Sequence, residues 1–143
     1  ADNLGRREKR KSEATPSFSA LVSSLRPSLI VIQQGTNLVP FKYNPVQEEI
    51  VEMLRTARTG APDARILWVG PPDARKYSST LLRNTFTIIN SECVKAGAFA
   101  FDSLAVTDYP SSSVDGIHYS GPEGEITARR WAAQVAETAR QIY

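Results

Sequence analysis

The segment Asp115-Gly116-Ile117-His118 carries the residue types and spacing best suited to acid–base chemistry in this chain. An aspartate three residues before a histidine can hydrogen-bond the imidazole Nδ1–H, which fixes the tautomer and leaves Nε2 free as a general base. His118 is the only histidine of the sequence. We therefore interpret His118 as a general base oriented by Asp115, with a purely structural histidine as the alternative.

A second candidate segment, Gly35-Thr36-Asn37, directly follows the apolar run Leu29–Gln34. An asparagine at the carboxyl end of a strand can direct its amide NH₂ at a developing oxyanion. Asparagine also often satisfies the backbone of a turn, and the segment alone leaves both roles open.

Three short apolar runs alternate with amphipathic helical patterns and must position these segments. Apolar runs without alternation are typical of parallel strands that are buried on both faces. The predicted strands are Leu29–Gln34, Arg65–Val69 and Ala98–Asp102. The predicted helices start at Thr15-Pro16, Asn44-Pro45, Ser78 and Ser120, with capping boxes at Asn44/Gln47 and Ser120/Glu123 and with stops at Pro27, Gly60, Gly97 and near Tyr143.

This alternation predicts an α/β fold with a parallel sheet and, through right-handed crossovers, helices on both faces. Ligands of such sheets bind at the carboxyl ends of the strands. The loops 35–43, 70–77 and 103–121 are therefore expected to form the site.

Taken together, the motifs resemble those of the SGNH hydrolases, the GDSL-like esterases and lipases. The run from Leu29 to Asn37 resembles their strand and Gly-x-Asn-Asp block, and Asp115–His118 is similar to their Asp-x-x-His block before the last helix. Trp68–Pro72 looks like their middle strand and following loop. The resemblance covers about residues 20–143. It implies a three-layer, doubly wound, flavodoxin-like sheet, of which this chain supplies the C-terminal strands and helices.

The resemblance also implies a Ser-His-Asp triad and an oxyanion hole built from a serine amide, a glycine amide and an asparagine side chain. Asn37 then takes the asparagine role, Asp115 orients and His118 is the base. Gly5, in Asn3-Leu4-Gly5, is the candidate glycine. The triad implies no cofactor, and one cysteine with one histidine is too few for the usual Cys and His ligands of a structural zinc site.

Two departures from the family pattern concern the chemistry directly. Leu38 stands where the block usually has an aspartate, and the Gly-Asp-Ser-Leu nucleophile block is absent. Phe101–Leu104 imitates that block but follows the third strand, and Ala1–Leu4 lacks the serine. We therefore expect the nucleophile on a segment or chain outside this sequence, most simply an N-terminal fragment that pairs with Leu29–Gln34.

The predicted function is an ester hydrolase, acyl or acetyl, acting on a small-molecule, polysaccharide or lipid ester. The alternative is a catalytically inactive SGNH-like binding module that keeps the cleft. The chain starts at Ala1 without a methionine, so we expect that an upstream segment was removed. The compartment is open, with a slight preference for a secreted or cell-envelope location.

Residues 1–13 hold five basic and three acidic side chains, which accounts for the net charge of +2. A basic run can contact nucleic acid, but Glu8 and Glu13 interrupt this one and no aromatic residue is interleaved for base stacking. We predict a charged, mobile arm over residues 1–14, one domain over 15–143 and no nucleic-acid partner. No apolar run approaches the ~20 residues that a membrane span requires.

Overall fold

The fold is seen in a computed structural model that describes residues 16–143. The predicted arm over residues 1–14 and the candidate Gly5 lie outside the described residues. Two short 3₁₀ helices, Thr36–Leu38 and Ser103–Ala105, follow β1 and β3. The main elements, in chain order, are α1 (Phe18–Leu25), β1 (Leu29–Gln33), α2 (Tyr43–Gly60), β2 (Arg65–Val69), α3 (Ser79–Lys95), β3 (Phe99–Phe101) and α4 (Gly121–Ile142).

The strands form a parallel sheet in the order β1-β2-β3. Leu29 of β1 is paired with Arg65 of β2, and Leu67 of β2 with Phe99 of β3. Each predicted strand is present. β1 ends one residue before the predicted Gln34, and β3 is one residue shorter than predicted at each end. The predicted α/β fold with a parallel sheet is confirmed.

Successive side chains of a strand point to opposite faces of the sheet, and helices cover both of these faces. On one face, Ile30, Ile32, Ile66 and Trp68 join the main core with side chains of α1, α2 and α3. Helix α4 contacts β2 and adds no residue to that core, so it lies on the other face. The result is the predicted three-layer, doubly wound arrangement.

Two predicted helix starts are wrong. Ser17, not Thr15, is the N-cap of α1, and its Oγ accepts from the Ala20 amide at 3.1 Å. Helix α2 begins at Tyr43 with no side-chain cap. The Gln47 side chain instead donates to Glu92 Oε1 of α3 at 2.9 Å, so the predicted capping box does not form.

Ser120 is the N-cap of α4 as predicted, but its side chain makes no capping bond. The carboxylate of Glu123 accepts from the Ser111 hydroxyl instead of closing a capping box. The Gly124 amide donates to Ser112 Oγ at 3.2 Å. The Ser120 amide, which the capping box would have paired with Glu123, donates to Ser113 Oγ at 2.8 Å, so serines of the preceding loop replace the predicted box.

Candidate active site

Asp115 and His118 form a hydrogen-bonded pair in the loop before α4. The distance from His118 Nδ1 to Asp115 Oδ2 is 2.5 Å. Asp115 Oδ1 accepts from the backbone amides of Ile117 and His118, at 2.8 and 2.7 Å. The bond to the imidazole is the one that the spacing of three residues predicted, and the two bonds to backbone amides are additional to that prediction.

The electrostatics of this pair determine which ring nitrogen carries the proton. The hydrogen bond from His118, followed by the amides of Ile117 and His118, holds the pKa of Asp115 well below its ordinary value of 3.8. An ionised carboxylate only accepts, so Nδ1 carries the proton of this hydrogen bond. In the neutral tautomer that this bond selects, Nε2 is the unprotonated acceptor that can take a proton from a hydroxyl.

Asn37 lies in a short turn that backbone contacts define. The Leu38 amide donates to the Gly35 carbonyl at 2.8 Å, and Trp68 Nε1 donates to the Gln34 carbonyl at 2.6 Å. Leu38 is buried in the main core. Leu38, which stands where the family pattern has an aspartate, therefore anchors the turn by apolar packing. Asn37 is exposed, so its amide stays outside the core.

The structure brings Asn37 and His118 to one cleft of about 300 Å³ at the carboxyl ends of the strands. The ends of β1 and β2 form one wall, and the His118 loop forms another. Trp131 of α4 also lines the cleft. All three loops that the sequence singled out, 35–43, 70–77 and 103–121, thus meet where a parallel sheet is expected to bind ligands.

Within the described residues, the cleft lining contains neither serine nor cysteine. Ser103, in the segment that imitates the nucleophile block, is fully buried and its Oγ accepts from Trp131 Nε1 at 3.0 Å. Cys93 is also buried, and burial raises the pKa of its thiol to about 12. Neither side chain is placed to attack a substrate in this cleft.

Sequence reasoning missed the residues that support the His118 loop. Asp73 and Tyr109 bind one another and the loop, and Trp131 lines the cleft from α4. For Asp73 a signal existed, because it follows the strand-ending Gly70-Pro71-Pro72 at the functional edge of the sheet. Tyr109 lies in a loop of 103–121 that has no periodicity, so no pattern pointed to it.

Among residues 16–143, no group of three or more His, Cys, Asp or Glu side chains is close enough to hold a metal ion. No helix in that part of the chain is long and apolar enough to cross a bilayer.

No protein-family model matches the sequence, and no curated protein matches it significantly. Solved structures do match. A peptidoglycan O-acetylesterase covers 85% of this chain at 15% identity with a TM-score of 0.64. TesA covers 87% at 20% identity with a TM-score of 0.68. Est24, a carbohydrate acetylesterase from Sinorhizobium meliloti, covers 94% at 16% identity with a TM-score of 0.62.

These three structures are SGNH-type esterases, so the chain has an SGNH hydrolase-like fold. The chain spans 40% of the peptidoglycan O-acetylesterase, 68% of TesA and 73% of Est24. At identities of 20% or lower the likeness concerns the fold, whereas activity depends on particular side chains.

Proposed function

We propose that this chain carries the histidine and aspartate of an ester hydrolase whose serine lies on a segment or chain outside this sequence. One observation carries the proposal. The Asp115-paired His118 and Asn37 line the same cleft at the carboxyl ends of parallel strands, in the fold of SGNH-type esterases.

The chemistry requires a hydroxyl within reach of His118 Nε2. As the serine Oγ attacks the ester carbonyl, Nε2 takes its proton and Asp115 stabilises the imidazolium. The Asn37 amide donates to the oxyanion of the tetrahedral intermediate. The imidazolium then protonates the leaving alkoxide, and water attacks the acyl-serine by the same route to release the acid. Gly5 is proposed to supply a second oxyanion donor through its amide.

Three observations support an external nucleophile. The described cleft lining has no serine, the side chain of His118 is 80% exposed, and that of Asp115 is 49% exposed. Triad aspartates work in buried surroundings, so this pair lacks a cover. Among residues 16–143, β1 pairs only with β2 and its other edge has no strand beside it. A strand added there would reach the cleft at its carboxyl end.

The proposed substrate class is an acyl or acetyl ester. Two of the structural neighbours are described as acetylesterases of peptidoglycan and of carbohydrate. The cleft here combines polar ends of strands with the apolar surfaces of Val69, Pro71 and Trp131. Such a surface suits a short acyl group beside a polar alcohol, whether that alcohol belongs to a sugar or to a lipid.

The decisive experiment treats the protein, expressed from its whole gene and purified without denaturation, with a fluorophosphonate probe. Mass spectrometry of everything that co-purifies then locates the label. We expect a labelled serine on an N-terminal segment or fragment, and no labelling in a His118→Ala preparation. Absence of label, together with no hydrolysis of p-nitrophenyl acetate, would reject the esterase and leave the inactive binding module.

A further inference from the structure

Three backbone amides in succession, those of Gly116, Ile117 and His118, have fixed hydrogen-bond acceptors. Asp115 accepts the last two. The first donates to the hydroxyl of Tyr109 at 2.8 Å, and the same hydroxyl lies 3.3 Å from the His118 carbonyl, to which it donates. One phenol therefore joins both ends of the segment that carries the imidazole.

Tyr109 is itself held from the loop that follows β2. Its backbone amide donates to Asp73 Oδ2 at 2.7 Å. The Asp73 amide donates to Thr107 Oγ1 at 3.0 Å, and the Asp73 carbonyl accepts from the Tyr119 hydroxyl at 2.8 Å. Asp73 thus forms hydrogen bonds with Thr107 and Tyr109, which precede the Asp115–His118 pair in the chain, and with Tyr119, which follows it. Its carboxylate accepts from the Tyr109 amide.

The ring of Tyr109 is also packed in place. It lies edge-on to the ring of Tyr119, with centroids 5.7 Å apart, and the Arg75 guanidinium lies 5.1 Å from its centroid. Arg75 further donates to the Val114 carbonyl, and the Lys76 amide donates to the Gly116 carbonyl at 3.0 Å. These contacts hold the phenol in one position, so that its hydroxyl stays between Gly116 and His118.

We propose that Tyr109 is a positioning residue for the Asp115–His118 pair, and that the carboxylate of Asp73 holds Tyr109 in that position. The hydroxyl closes the Gly116–His118 turn and so keeps the imidazole against Asp115. The catalytic consequence of this role rests on the proposed esterase function, whereas the structural effect on the Asp115–His118 pair does not. An exposed pair needs such support, because solvent offers both partners alternative hydrogen bonds.

The test compares Tyr109→Phe with Tyr119→Phe in the 143-residue chain. Each variant loses one tyrosine hydroxyl from the same aromatic cluster, but only the first removes the partner of the Gly116 amide. His118 is the only histidine, so its Nδ1 proton is assigned directly by NMR. We expect Tyr109→Phe to speed deuterium exchange at Gly116 and to broaden or remove the Nδ1–H signal, while Tyr119→Phe leaves both close to wild type.

Equal changes in both variants would overturn the inference, because they would report general loosening of the loop. Unchanged signals in Tyr109→Phe would overturn it as well. If Tyr109→Phe does not fold, Asp73→Asn and Asp73→Ala decide. Asp73→Asn keeps an acceptor for the Tyr109 amide, so it should preserve the His118 Nδ1–H signal, which Asp73→Ala should lose. Loss of the signal in both variants, or its retention in both, would reject the role of Asp73.

Activity separates this inference from the proposed function. In an active complex, Tyr109→Phe should lower kcat by about 10- to 100-fold with little change in KM, as expected when a reacting group is misplaced. An inactive wild type would reject the esterase while leaving the NMR result valid. An unchanged kcat in an active Tyr109→Phe complex would reject the positioning role and leave the esterase intact.

Discussion

Val31 of β1 and Leu67 of β2 are register partners on the same face of the sheet, yet their surroundings differ sharply. Leu67 is fully buried, whereas Val31 is 48% exposed. Helix α4 contacts β2 and covers its part of this face. The apolar face therefore continues past α4 to β1, which among residues 16–143 is an edge strand and has neither charge nor proline, an unusual composition for an open edge.

A charge at position 31 is expected to hinder association of the proposed N-terminal fragment with β1. Burying a lysine without a partner is strongly unfavourable, so Val31→Lys should weaken association by about tenfold or more. The matched control is Val51→Lys, since Val51 is similarly exposed but lies on α2, away from the sheet edge. Sedimentation velocity with the co-purifying fragment measures the difference, and equal affinity of both variants would place the partner elsewhere.

The α/β fold followed from the sequence because its strands are short apolar runs and its helices are amphipathic. From Ile66 to Val69, β2 is buried on both faces, as its apolar run predicts, whereas β1 is buried on one face only among the described residues, with Val31 48% exposed on the other. Helix starts were less predictable, since a cap depends on a competing partner. Gln47 lies within reach of Glu92 on α3, and that contact replaces the local bond.

In the candidate site, too, local contacts could be predicted from the sequence and tertiary contacts could not. The Asp115–His118 bond spans three residues and is local, so spacing predicted it. The bond between Tyr109 and Asp73 joins residues 36 positions apart, and only the tertiary fold brings them together. Asn37 was ambiguous in sequence, and its place in a cleft with His118 supports the oxyanion role that we propose.

His118→Ala should abolish ester hydrolysis by the complete enzyme while leaving the fold intact, because the side chain is largely exposed. Loss of one triad member typically costs several orders of magnitude in kcat. Asp115→Asn should also lower kcat, since an amide donor disfavours the Nδ1–H tautomer. Retention of more than about a tenth of the activity in His118→Ala, ~1.4 kcal/mol of barrier, would refute the general-base role.

Asn37→Ala should lower kcat by about 100-fold or more with KM nearly unchanged, because an oxyanion donor acts mainly in the transition state. Asn90→Ala is the control, since Asn90 is exposed on α3 and lies outside the cleft lining. Steady-state kinetics on p-nitrophenyl acetate make the comparison. A rise in KM alone would assign Asn37 to substrate binding or to the turn instead.

The carboxyl of Asp115 should not titrate at its ordinary value, because its folded pKa is lowered by His118 and two amides. A lowered folded pKa means that the carboxylate stabilises the fold above pH 3.8, and that this contribution disappears as pH falls through the folded pKa. Carboxyl ¹³C NMR follows the titration. His118→Ala should move the midpoint upward but keep it below 3.8, and a wild-type midpoint at 3.8 would contradict the geometry of the pair.

The last prediction concerns Gly35, which precedes the turn of Asn37. A Cβ on Gly35 would lie 2.6 Å from Pro71 Cδ and 2.8 Å from the Pro71 nitrogen. The proline ring cannot rotate away, so Gly35→Ala must separate the loops after β1 and β2, and overpacking of this kind costs about 1–3 kcal/mol. Urea unfolding should therefore show a lower midpoint with an unchanged slope.

Pro71→Ala provides the internal control for that clash. It removes Cδ but keeps the backbone nitrogen, so the Gly35→Ala/Pro71→Ala double variant should recover part of the lost stability. The loop after β1 carries Asn37, and the loop after β2 lines the same cleft as His118. Gly35→Ala alone should therefore also lower kcat in the complete enzyme. A Gly35→Ala chain with the wild-type urea midpoint would show that the two loops are not in the close contact that places Asn37.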